Sequence, residues 1–198
     1  MRTFWRTQLW PSVALLAILT FFTGLVYPGV VTAVAQLAFP NQANGSFIVA
    51  DGSTVGSTLI GQYFNGPKYF WGRPSAAGVT PSNPPGYDPT SSGGSNLGPT
   101  NKTLIDTVTA RVDALRKSNG NAPIPVDLVT SSGSGLDPDI SPAAADYQVA
   151  RVAAARGMDP ETVRALVAKH TDGPIFGFLG ASHVNVLLLN LDLDGLLK

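Results

Sequence analysis

Between Arg6 and Asp51 the chain carries no charged side chain, and inside that window Val13 to Val34 reads VALLAILTFFTGLVYPGVVTAV. Wound as an α-helix, such a run spans about 33 Å, enough for a hydrocarbon core of about 30 Å. Trp5 and Trp10 sit at one end and Tyr27 toward the other, as interfacial aromatic rings do. Arg2 and Arg6 precede the run, and no Lys or Arg follows until Lys68. The positive-inside rule then keeps the N-terminus in the cytosol. The expected division is a cytosolic N-terminus (1–11), a transmembrane helix (12–35) and an extracytoplasmic domain (36–198). Gly24, Pro28 and Gly29 are tolerated in a membrane helix. Gly24 and Gly29 would let a neighbouring helix approach closely, which makes them candidates for a partner interface.

Two other readings compete. Ala33-Val34-Ala35 resembles a signal-peptide cleavage site behind a basic start, which would make this a free exported protein. Against it, the apolar stretch exceeds the usual h-region of about 7–15 residues. A buried core helix is opposed by the rest of the chain, which is not apolar enough to surround one.

The remaining roughly 160 residues suit one domain. Charged residues make up 13% of the chain, where about 25% is usual. Thirteen basic and thirteen acidic residues balance, and no basic stripe argues for nucleic acid. Cysteine is absent, which excludes disulfides, thiolate catalysis and cysteine metal sites. Glu161 is the one glutamate, so paired-carboxylate chemistry would rest on aspartates.

Along the exported part, Ser46 to Ala50 reads as a strand, Asp51-Gly52 as a hairpin turn, and Thr54 to Gln62 as a second extended run. In Asn65 to Asn101, 14 of 37 residues are Gly or Pro. A bland linker would not carry the cluster Phe64, Lys68, Tyr69, Phe70, Trp71 and Arg73. The expectation is a long ordered loop held by aromatic packing, and such loops tend to be functional. Leu104, Ile105, Val108, Val112 and Leu115 mark a helix from about Asn101 to Lys117, stopped by Gly120. Val126 to Thr130 reads as a short strand and Ser131 to Gly135 as a turn. Ser141-Pro142 starts a helix to Arg156, and Asp159-Pro160 starts one to about His170. Val184 to Leu189 reads as an apolar strand. The expected fold class is a single N-terminal transmembrane helix followed by a mixed α/β (α+β) extracytoplasmic domain.

No catalytic constellation emerges. Gly93, Gly94 and Gly98 precede a helix start and are a candidate anion loop. After Gly98, however, Pro99 stands where a P-loop needs lysine. There is no Gly-x-Ser-x-Gly elbow. His170 fits a helix C-terminus, and His183 has no partner at metal-binding spacing. Asp137-Pro138-Asp139 lacks the ligand density of a Ca²⁺ loop and fits an Asx-type turn.

Five stretches in order carry a resemblance. They are Ser57-Thr58-Leu59-Ile60-Gly61-Gln62; Tyr69-Phe70-Trp71-Gly72-Arg73-Pro74-Ser75; Ser92 through Asn101 (SGGSNLGPTN); Asp127 through Pro142 (DLVTSSGSGLDPDISP); and the C-terminal set. That last set holds His170-Thr171, Gly177-Phe178-Leu179-Gly180, Val184-Asn185-Val186-Leu187 and Leu189-Asn190. Behind a single N-terminal span, this pattern resembles the C subunits of Kdp-type potassium-transporting ATPases. Val79 to Pro89 lies outside the resemblance.

The resemblance implies a non-catalytic accessory subunit of a high-affinity ATP-driven K⁺ uptake complex in the cell (inner) membrane. Its partners would be a potassium-channel-like subunit, a P-type ATPase subunit and a small hydrophobic subunit. It would have no cofactor of its own, ATP and K⁺ being handled by the complex. The family's role is described as stabilising the assembly and as that of a catalytic chaperone raising ATP affinity. An extracytoplasmic domain lies opposite the cytosolic nucleotide, which favours an indirect effect through assembly or a role over the ion entrance. With Arg2 and Arg6 set aside, eleven basic residues face thirteen acidic ones, a bias that concentrates K⁺ only weakly. Interface candidates in the domain are Phe64, Tyr69, Phe70, Trp71 and Arg73, together with Asn96 and Asn101 of the glycine-rich loop.

Overall fold

The computed structural model describes residues 2–50 and 52–197. The chain forms two compact units, one up to Phe47 and one from Ile48 on.

The first unit is dominated by one apolar helix, α1 (Trp5–Ala38), of 34 residues. At 1.5 Å per residue it is about 51 Å long, more than a bilayer core requires. It therefore contains the expected 12–35 span and extends beyond both its ends. Two stretches, Trp5–Leu9 and Phe22–Val26, wind in wider π-type turns. Each lies just before a proline, Pro11 or Pro28. A proline cannot donate to the carbonyl four residues back, and its ring crowds that carbonyl. Those carbonyls belong to Thr7 and Gly24, inside the two π stretches. Three hydroxyls of the helix fold back onto its own backbone, those of Thr7, Ser12 and Thr23; Thr23 Oγ1 donates to the Leu19 carbonyl at 2.6 Å, and Ser12 Oγ to Gln8 at 2.7 Å. Those three need no outside partner in an apolar medium. No described residue of α1 is buried, so its apolar surface calls for lipid or another chain. Phe39 ends the helix before a single turn, α2 (Pro40–Ala43), where Asn44 Nδ2 donates to Pro40 O at 2.6 Å.

At the start of the second unit, β1 (Phe47–Ala50), whose first residue closes the first unit, pairs with β2 (Ser53–Ser57). Asp51, half of the expected turn signal, lies outside the described residues; its neighbour Gly52 has φ +77°. β2 stops at Ser57, short of Gln62, because Ser57 turns the chain. Its hydroxyl accepts from the Leu59 N–H at 3.2 Å. The long segment from Thr58 to Asn101 then contributes no regular strand or helix.

Three helices build the core. α3 (Lys102–Asn119) is capped by the Asn101 side chain, which accepts from Thr103 N at 2.8 Å, and it ends at Gly120. α4 (Pro142–Arg156) is capped by Ser141 and closed by Gly157 in the left-handed region. α5 (Pro160–Lys169) follows Asp159. α4 is central because its Ala144, Ala145 and Ala153 are small enough for neighbours to approach, with Val149 and Val152 filling between. Leu115 of α3 and Val163 and Val167 of α5 join them. A three-stranded antiparallel sheet packs alongside. β5 (His183–Asn185) lies between β3 (Asp139–Ile140) and β4 (Thr171–Asp172), with Val184 opposite both Ile140 and Thr171.

Two further sequence expectations are corrected. Val126 to Thr130 is not a strand; Val126–Leu128 is a 3₁₀ turn whose Val126 carbonyl accepts from Val129 and Thr130. Pro123 and Pro125 just upstream cannot donate to a ladder, which leaves the segment turning on itself. Val184 to Leu189 is a strand only as far as Asn185. There the Asn185 side chain accepts from Leu188 N at 3.1 Å and starts α6 (Val186–Leu193). The fold is thus one N-terminal apolar helix followed by a mixed α/β domain.

Candidate functional site

The Asn65 to Ser75 strap is held by side chains that bond its main chain rather than by secondary structure. Asn190, 2% exposed on α6, accepts from the Phe70 N–H at 2.8 Å and donates to the Phe70 carbonyl at 2.9 Å. Gln148, fully buried on α4, does the same for Trp71 at 2.8 and 3.1 Å. Two amide side chains therefore serve as the strand that this segment lacks. Each satisfies the main-chain N–H and C=O of one residue, groups that no strand or helix pairs in this segment.

Arginines complete the grip. Arg151 donates to the carbonyls of Pro67 at 2.6 Å and Tyr69 at 2.9 Å, and its guanidinium lies 4.0 Å from the centre of the Trp71 ring. It is surrounded by neutral acceptors, and burial pushes its pKa down to about 10, so it stays charged at neutral pH. Arg156 donates to Lys68 O at 2.6 Å and pairs with Asp194 at 2.8 Å. Tyr69 Oη donates to the same carboxylate at 2.9 Å, while its ring packs 5.5 Å from that of Phe64.

This places each expected interface residue. Phe70 has no exposed surface, and Phe64 and Trp71 are half-buried against the core. Arg73 pairs with Asp137 at 3.1 Å and reaches Ser131 O at 3.3 Å, yet its buried Nε has no acceptor. Asn96 is exposed with φ +53°, and Asn101 caps α3. Gly24 and Gly29 lie on α1, and a Cβ on Gly29 would meet nothing within 4 Å. In the glycine-rich loop the Gly93 N–H donates to Ser134 O at 2.8 Å, so that amide is engaged within the domain. Gly94 runs against Ser132 and Gly133, while Gly98 has open space around it. Gly135 has φ +67°, and a Cβ there would come within 2.6 Å of the Gly93 carbonyl. The two glycine-rich loops thus lock backbone to backbone.

Beside the strap opens a cavity of about 390 Å³ lined by Tyr63, Phe64, Trp71, Arg73, Tyr87 and Arg111, among others. Burial, with Asp137 adding to it, pushes Tyr87 up to about 12. Its hydroxyl donates to the Arg73 carbonyl. Burial lowers Arg111, which donates to Val129 O at 2.9 Å. The walls are aromatic and cationic, without a nucleophile beside a base. A second cavity of similar size touches Arg73, Asp137, Asp139 and His183. There burial raises Asp139, and His183 Nε2 stands 3.8 Å away. His170 sits at the end of α5 with Nε2 2.7 Å from Asp192. Among the described residues no three His, Asp or Glu side chains gather as a metal-binding group.

The sequence reading did not single out Gln148, Asn190, Arg151 or Arg156. A signal existed for the first two: each interrupts an otherwise apolar helical stripe, where a polar amide is found only when it has partners.

The arrangement defines a class: an apolar helix long enough to cross a membrane, carrying an α/β domain rich in internally tied loops. The chain matches the family model described as KdpC, K⁺-transporting ATPase, c chain, over residues 9–195. It belongs to that family. A relative in Sorangium cellulosum (strain So ce56), named potassium-transporting ATPase KdpC subunit, is 59% identical over 93% of this chain and 96% of its own. One of the same name in Variovorax paradoxus (strain S110) is 58% identical over 93% and 94%. Another in Dechloromonas aromatica (strain RCB) is 52% identical over 98% and 100%.

Proposed function

We propose that this chain is a non-catalytic accessory subunit of an ATP-driven K⁺ uptake complex. Its partners are the potassium-channel-like subunit, the P-type ATPase subunit and the small hydrophobic subunit implied by the resemblance. The carrying observation is the family match over residues 9–195, which takes in most of the apolar helix and nearly the whole domain. The helix anchors the chain in the inner membrane and packs on a larger subunit through Gly24 and Gly29. Arg2 and Arg6 support a cytosolic N-terminus and an extracytoplasmic domain.

Within that complex the chain stabilises the assembly and acts as a catalytic chaperone, raising the ATP affinity of the P-type subunit. The geometry favours an indirect effect, because the candidate anion loop spends the Gly93 amide on Ser134. The test compares K⁺-stimulated ATP hydrolysis by the complex with and without this chain. A rise in KM for ATP on its omission is expected; an unchanged KM and kcat in an intact complex would refute the chaperone role. Orientation is read separately. Ser92→Cys creates the sole cysteine on an exposed position, and an impermeant thiol reagent should label it in intact cells. Labelling only after lysis would place the domain in the cytosol.

A further inference from the structure

Between β4 and β5 the chain makes a hairpin excursion, residues 173–182, whose tip is Ile175-Phe176-Gly177-Phe178-Leu179. The four large apolar side chains there are 67%, 84%, 74% and 51% exposed. Elsewhere in the domain exposed apolar side chains are sparser, Leu59, Ile60 and Tyr63 being the densest set. Here four fall in five residues and offer roughly 400 Å² of apolar surface, in the range where a patch on a monomer is often functional.

The tip is preformed. Ile175 N–H donates to Leu179 O at 2.9 Å and Leu179 N–H returns to Ile175 O at 3.0 Å. Phe176 and Gly177 have φ +54° and +80°, the pair of positive values a primed hairpin turn requires. Gly177 adopts this freely, whereas Phe176 does so against its side chain's preference. The backbone thus holds two phenylalanines outward on a stiff base rather than letting them fold onto the domain.

We infer that this tip is a plug that seats in an apolar cleft on another subunit of the potassium-transporting complex; this rests on the accessory-subunit reading above. Charge selects the occupant. A surface that inserts into lipid is flanked by Lys, Arg or interfacial Trp and Tyr. Between Lys169 and Lys198 this chain has none of these, and Lys169 itself is paired with Asp192 at 2.8 Å. The nearest charge on the flanking strands is the exposed Asp172, which an anionic leaflet repels. Self-association would set Asp172 near its own copy. A protein cleft with a neutral or basic rim satisfies both the apolar tip and its acidic flank.

The test uses the full chain co-expressed with the other subunits. A photo-crosslinking benzoylphenylalanine at position 176 is irradiated in membranes, and the adduct is identified by mass. A link to another subunit's polypeptide is expected; adducts only to lipid or to a second copy of this chain overturn the inference. In parallel, Phe176→Ser with Phe178→Ser should cut the amount of this chain retained on the purified complex at least tenfold, while Phe176→Leu retains it. The unfolding midpoint of the serine variant should stay within about 2 °C of the parent, as for exposed substitutions. Full retention of the serine variant would refute the plug and leave the accessory role standing. If the parent chain itself fails to co-purify, the accessory reading and the plug fall together.

Discussion

Replacing Asn190 by Leu keeps the side chain's branched shape but removes both hydrogen bonds to the Phe70 main chain, at 2.8 and 2.9 Å. Phe70 has no exposed surface and Asn190 is 2% exposed, so water cannot replace the lost partner without opening the core. Each orphaned buried group costs about 1–3 kcal/mol, which gives roughly 2–6 kcal/mol in all. For a domain of this size that corresponds to a fall of about 5–15 °C in unfolding midpoint. Leucine adds some apolar burial, which is why the lower half of the range is expected. The assay is urea unfolding of the full chain in mild detergent, followed by far-UV circular dichroism and by tryptophan fluorescence, to which Trp71 reports. Combining N190L with Gln148→Leu should cost less than the sum of the two, because the clamped peptides of Phe70 and Trp71 are adjacent and release together. A loss below about 0.5 kcal/mol for N190L, at unchanged dependence on urea, would refute the view that these amides hold the strap.

Other expectations follow from the same contacts. Gly135→Ala forces a Cβ to within 2.6 Å of Gly93 O and 2.7 Å of Ala77 N at a positive φ; it should cost at least about 2 kcal/mol. Gly133→Ala, with open space around it, should cost well under about 1 kcal/mol in the same melt. Burial raises Asp139 above the usual carboxylate range. Its ionisation therefore opposes the folded state at neutral pH. Asp139→Asn should raise the unfolding midpoint at pH 7, and the gain should vanish at low pH once both states are protonated. Asp192 shifts the other way, lowered by its hydrogen bonds to Lys169 and His170. Its contribution is complete above about pH 4 and is lost as pH falls through the depressed value. Lys169→Met should shrink that acid-side loss, read from midpoints across a pH series. Gly24→Ile with Gly29→Ile should weaken retention of the chain in detergent-solubilised complex while leaving the domain's melt unchanged.

Much of the architecture was legible because it rests on local signals. The apolar run from Val13 to Val34, the Ser141-Pro142 start and the Gly157 and Gly120 stops each depend on a few neighbouring residues. The misread segments were short. An apolar run such as Val184 to Leu189 suits strand or helix equally by periodicity, and Asn185 decided it by capping α6. The strap was recognised by its aromatics, but not what holds it. Gln148 and Asn190 lie 77 and 120 residues away from the peptides they clamp, and that pairing exists only in the folded chain. The exposed tip at Phe176 and Phe178 was equally hidden, since exposure is set by the rest of the domain.

The most direct measurement of the central claim is the composition of what co-purifies with this chain from mild detergent at native expression in potassium-starved cells. The account predicts a stable complex with a large polytopic subunit and a P-type ATPase, with the chain retaining its N-terminal helix. Recovery of the chain alone, shortened to begin near Gln36, would contradict it and identify a free exported protein instead.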